Sequence, residues 1–100
     1  MPTFKVARKA YSDLVAIGRF TEKEWGKAQR ITYLKQIDEC FLQIARNPEI
    51  GTSCDFIRTG YRKFPQASHL IFYRQDAVGV IEIIRVLHKN MDVESKLSRA

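Results

Sequence analysis

Cysteine is scarce. Only Cys40 and Cys54 occur in 100 residues, with no C-x-x-C and no histidine at zinc-ligand spacing, which argues against a metal centre and against a disulfide framework. Both read as buried thiols, and no cofactor is expected. Long apolar runs are absent too. None approaches the length of a membrane span, and Met1 to Arg8 lacks the apolar stretch of a signal peptide, so the expected location is the cytoplasm, with no membrane partner. Runs of like charge are also missing. The 17 Lys and Arg outweigh 11 Asp and Glu to leave a net +6, but they are spread along the chain. That spacing suits a solvated surface with a general attraction for anionic partners, and not a polybasic tail. There is no internal repeat or low-complexity block, and an apolar share of 45% with 28% charged residues excludes disorder over most of the length. A chain this short has room for one hydrophobic core, so residues 1–100 are expected to form a single domain.

What is there divides into a helical half and a strand half. Phe4 and Val6 alternate with Thr3 and Lys5, which predicts a short first strand. From about Ala10, Tyr11, Leu14 or Val15, Gly18 and Trp25 recur at steps of three and four, predicting a helix that Gly26 ends. A second stripe runs through Ala28, Ile31, Leu34, Ile37 or Asp38, Phe41 and Ile44 or Ala45, and Asn47-Pro48 stops it. The tight link at Gly26 makes the two helices an antiparallel hairpin. Trp25 and Phe41, aromatics on these stripes, read as core residues. Three strand-like segments follow the loop Pro48 to Asp55: Tyr61 to Pro65, Ser68 to Arg74, and Val80 to His88. The link Gln75 to Gly79 reads as a hairpin. The last segment is apolar on both faces, which suits a central strand. By alternation Arg85 shares a face with Ile81, Ile83 and Leu87, while Glu82 and His88 lie on the other. Residues from about 89 to 100 form a short polar tail or frayed helix, with Met91, Val93 and Leu97 as its large apolar groups. The expected class is therefore α+β, with a first strand, an αα-hairpin and a three-stranded antiparallel sheet.

Within that order sit Asp13-Leu14-x-x-Ile17, Trp25-Gly26, Pro48-x-x-Gly51, Gly60-Tyr61-Arg62, His69-x-Ile71-Phe72-Tyr73-Arg74, and Ile83-x-Arg85-Val86-Leu87-His88-x-x-Met91-Asp92. Over nearly the whole chain this series resembles the ParE branch of the ParE/RelE toxin superfamily. The resemblance implies a RelE/ParE-like fold and the toxin of a type II toxin-antitoxin pair. It also implies a target, DNA gyrase, and a cognate antitoxin whose flexible, acidic segment wraps the toxin as a hetero-oligomer, with no chemistry performed by the toxin itself.

The rival reading is a RelE-like ribosome-dependent mRNA endonuclease. Cleavage through the 2′-hydroxyl needs a base, an acid and cations around the phosphorane. Arg62, Arg74 and Arg85 are the available cations, and His69, His88 and Glu82 the available acid and base groups, though their spacing does not bring them together. RelE-type enzymes often carry a tyrosine near the end of the last strand, whereas His88 is followed by Lys89-Asn90-Met91-Asp92. For His88 the plainer role is a strand-end histidine bonded to backbone, and for Arg62 and Arg74 an ion pair with Glu82, Asp92 or antitoxin acids. A third reading is a ParE-like protein that only binds its antitoxin. The residues expected to meet target or antitoxin are Arg62, Arg74, Arg85, His88, Met91 and Asp92. No helix carries a basic stripe with base-reading residues, so direct nucleic-acid recognition is not expected.

Overall fold

The computed structural model describes residues 3–91 and 96–97. Strand β1 (Phe4–Val6) leads into helices α1 (Arg8–Trp25) and α2 (Lys27–Arg46). The helices part at Gly26, whose φ of 94° is open to glycine and strained for a side chain. Asn47 ends α2 just before Pro48, as the proline requires. A 3-10 turn (Pro48–Ile50) follows, then β2 (Thr52–Ser53), β3 (Arg62–Gln66), β4 (His69–Gln75) and β5 (Ile81–His88).

The α2 stripe buries Ile37, Phe41 and Ile44 as its spacing predicts, while Ala28 and Ile31 lie outside, beyond the reach of the sheet. On α1 the expected face is only partly the buried one. Gly18 is buried and Leu14 packs against the core, joined by Ala10, Ile17 and Thr21, but Tyr11, Val15 and Trp25 are exposed. At Gly18 a Cβ would stand 3.2 Å from Leu34 Cδ1, so α2 packs closely over this residue. Ala10, Leu14, Ile17 and Gly18 take the inner face and the large rings are left outside. Trp25 is therefore not a core residue; it is 73% exposed.

The sheet has five strands in the order β1-β5-β4-β3-β2, where three antiparallel strands were expected. β1 joins it parallel to β5, pairing Phe4 with Ile81 and Val6 with Ile83, because the helical hairpin carries the chain across one face of the sheet. β2 pairs Thr52 with Lys63 and is too short to show any periodicity. β4 is the middle strand. β5 lies between β4 and β1 with apolar residues buried on both faces, as its composition implies.

The helices cover one face of this sheet, where Ile71, Tyr73, Ile81, Ile83 and Val86 meet Ile37, Phe41 and Ile44. On the other face Phe72, Ile84 and Leu87 pack with Cys54, Tyr61 and Leu97. Leu97 is fully buried in this second cluster. A register shift changes the expected facing of β5. Phe72 pairs with Arg85 but Tyr73 with Ile83, which leaves Ile84 as an extra residue opposite that step. The bulge reverses the alternation beyond it. Leu87 consequently packs on the face opposite Ile81 and Ile83, and Glu82 and His88, expected on one face, lie on different ones.

Candidate binding surfaces

An open groove of about 850 Å3 runs along the hairpin where it meets the ends of β4 and β5. Ile17, Phe20, Trp25, Tyr33, His69, His88 and Met91 line it. Phe20 is 64% and Met91 47% exposed, so with Trp25 they put three large apolar side chains in water along one surface. Scattered exposed apolar residues need no explanation, but a continuous groove of them does. After β5 the chain turns back, with the Met91 N–H on the His88 carbonyl at 2.9 Å, and this places Met91 at the groove.

His69 and His88 face one another across β4 and β5, with ring centroids 5.5 Å apart. Their sequence spacing concealed this pairing, which corrects the expectation that they stay apart. Tyr33 Oη on α2 lies 2.6 Å from His69 Nδ1. Burial, and then the neighbouring His88 ring, hold His69 below the ordinary histidine range against an opposing pull from Asp13. Burial pushes the Tyr33 hydroxyl up. His88 Nδ1 accepts the Asn90 N–H at 3.1 Å, the strand-end backbone bond expected of it. A tyrosine and two histidines within reach of one another could pass a proton. A phosphorane would also need cations, and among the described residues lining the groove there is neither Lys nor Arg.

The three arginines lie elsewhere. Arg74 pairs with Glu82 across β4 and β5 at 2.8 Å, one of the partners the sequence offered. Arg62 instead donates through Nη1 to the Gly51 carbonyl at 2.7 Å. It thereby backs a second anchor on the same loop. Tyr73 Oη donates to the Pro48 carbonyl at 2.6 Å and accepts the Gly51 N–H at 2.9 Å. Gly51 must be glycine for this approach, since a Cβ would fall 2.5 Å from Tyr73 Oη. Arg85 is held by Asp13 of α1, Nε to Oδ2 at 2.8 Å and Nη2 to Oδ1 at 2.9 Å. Asp92 lies outside the described residues. Cys40 and Cys54 are free, buried thiols.

Most of the chain matches known proteins. The family model of the ParE toxin of the type II toxin-antitoxin system parDE covers residues 4–93. The chain belongs to the ParE toxin family.

Toxin ParE1 of Mycobacterium tuberculosis is 42% identical over 88 residues, spanning 88% of this chain and 90% of that protein. Toxin ParE1 of Caulobacter vibrioides is 37% identical over 98 residues, spanning 97% and 99%. In fold, the chain is similar to a chromosomal ParDE toxin-antitoxin structure from P. aeruginosa, with a TM-score of 0.75, 21% identity, and 88% of this chain and 96% of that one covered. This chain is thus a ParE toxin of a type II toxin-antitoxin system, built on the α+β fold of that family. Sequence reasoning on the ParE motifs singled out His69, His88 and Arg85 but missed Tyr33 and gave Asp13 no role. The spacing Tyr33, Ile37, Cys40, Phe41, Ile44 is a helical face and would have pointed Tyr33 inward.

Proposed function

We propose that this ParE toxin acts by binding protein, with DNA gyrase as its target, and that its antitoxin silences it as a hetero-oligomer by laying an amphipathic segment into the apolar groove. The observation that carries this reading is the row Phe20, Trp25 and Met91, exposed along a groove with no Lys or Arg among the described residues that line it. An apolar helix face suits that lining, and acidic residues flanking it would suit the net charge of +6 and speed the encounter. No helix among the described residues is long and apolar enough to cross a membrane.

Added in excess to gyrase and supercoiled DNA, the purified chain should produce cleaved complexes or block supercoiling. An unchanged gyrase reaction removes gyrase as the target and leaves the toxin assignment standing. Induced alone in a bacterial host, the chain should arrest growth; normal growth would favour a protein that only binds its antitoxin. For the groove, Phe20→Ala and Trp25→Ala should each weaken antitoxin binding by about 2 kcal/mol, or roughly thirtyfold, the scale of one buried ring. Unchanged affinity in both variants places the antitoxin elsewhere. The Tyr33, His69 and His88 cluster is the one observation that favours the nuclease alternative, and cleavage of ribosome-bound mRNA that is lost in His88→Ala would establish it.

A further inference from the structure

A second depression, of about 560 Å3, opens beside Tyr61 and Ile84 on the sheet face away from the helices. Its lining comes from the start of α1 (Arg8 and Lys9), the loop before β3 (Arg58 and Thr59), and β4 and β5 (Arg74 and Glu82). Among the described residues this lining gathers four cations and one carboxylate; Glu82 receives Arg74, through Nε at 3.0 Å and Nη2 at 2.8 Å, and Lys9 and Arg58 have partners of their own. Arg8, Lys9 and Arg58 are all exposed. Positive charge here gathers into a concavity, and three of its four cations carry the planar fork that fits phosphate oxygens.

The loop that supplies Arg58 also carries Phe56, which is 75% exposed. Its exposure belongs to a pinned loop. The Cys54 N–H bonds the Tyr61 carbonyl at 2.8 Å, the Ile57 N–H bonds the Cys54 carbonyl at 2.9 Å, and the Gly60 N–H bonds Asp55 Oδ1 at 2.7 Å. A solvent-facing aromatic on a pinned loop, two residues from Arg58, suits a nucleobase better than it suits an acidic peptide.

We propose that this depression is a binding site for the phosphodiester backbone of nucleic acid, with Phe56 stacking on an unpaired base beside it. The expectation of no nucleic-acid recognition rested on the lack of a recognition helix. Backbone contacts need none, because they position a protein without reading sequence. The site lies on the opposite face of the sheet from the apolar groove, and it holds whether or not gyrase is the target.

The test uses the full-length chain and fluorescence anisotropy with labelled oligonucleotides of arbitrary sequence, titrated across a range of salt. Arg8→Gln/Lys9→Gln/Arg58→Gln should weaken binding at least tenfold at about 50 mM salt and flatten the log–log salt slope by about two to three, close to one unit per lost phosphate contact. The Arg8→Gln/Lys9→Gln double variant repeats the test with the loop untouched. Arg19→Gln/Lys35→Gln/Arg46→Gln removes the same charge from the helices and should leave affinity within about twofold, since a local site does not depend on distant charge. Phe56→Ala should cost several-fold on single-stranded DNA. The proposal is overturned if the wild type binds no oligonucleotide, or if the two triple variants weaken it equally. It also fails if polyglutamate of matched charge binds as tightly as DNA while Phe56→Ala changes nothing, an outcome that would make the depression a site for an acidic protein.

Discussion

Replacing Asp13 by alanine should unsettle the join between helix and sheet more than any other change of one surface charge. Its carboxylate takes three hydrogen bonds, two from Arg85 and one from the Val86 N–H at 3.0 Å. The last matters because β1 stops pairing with β5 at Ile83, so Val86 lies beyond the end of that ladder. Asp13 takes the place of the missing strand just past the bulge. Both side chains are only 14% exposed, so removing the carboxylate leaves a guanidinium and an N–H with little water to turn to. Breaking a buried ion pair costs about 3–5 kcal/mol, and the remaining access to water lowers this to roughly 2–4 kcal/mol. The stability of such a domain is on the order of 5–15 kcal/mol, and each kcal/mol moves Tm by about 4–8 °C. A fall of roughly 10–25 °C in a circular dichroism melt is expected. The paired replacement Asp13→Leu/Arg85→Met, which removes both charges and fills the space, should recover most of the loss. A Tm drop below about 4 °C for Asp13→Ala, or a double variant as unstable as the two single ones added together, would refute the account.

Tyr73→Phe should lower unfolding free energy by about 1–3 kcal/mol in urea titration, because it orphans the Pro48 carbonyl and the Gly51 N–H. Gly51→Ala should cost a comparable amount by driving a methyl against Tyr73 Oη and the Lys63 carbonyl, and a wild-type midpoint would show that the loop does not need this close approach. Since burial depresses His69, the unfolded chain binds its proton first as pH falls, so stability should decline below the ordinary histidine pKa of about 6.5. His69→Gln should flatten that decline, and an unaltered pH profile would assign it to other groups. Leu97→Ala should destabilise by about 2–5 kcal/mol if the final segment truly seals the second core; a neutral effect would mean that Phe72, Ile84 and Leu87 close that face without it.

The parts of this toxin that could be read from its sequence are those fixed by neighbours along the chain. Gly26 and Pro48 set the ends of the helices, the stripe Ile37, Phe41, Ile44 found the core, and the apolar runs in β4 and β5 became the paired strands. What escaped was decided by distant contacts. Asp13 and Arg85 are 72 residues apart, and no local pattern marks either as the other's partner. Nor does any residue type announce that Ile84 is the extra one, yet this single insertion moves Leu87 and His88 to faces that strict alternation denies them. The misreading of α1 is the most informative. That helix carries two overlapping apolar surfaces, one through Ala10, Leu14, Ile17 and Gly18 and one of rings, and spacing alone cannot rank them. Size suggested that the rings go inside. Packing preferred the side with Ala10, Ile17 and Gly18, where α2 lies close over Gly18, and so Phe20 and Trp25 stayed in water. Leaving large rings exposed costs solubility and returns no stability to the isolated toxin. It makes sense for a surface that is covered while the toxin is held in its complex, so the error in the sequence reading falls on the groove proposed here to be the toxin's binding surface.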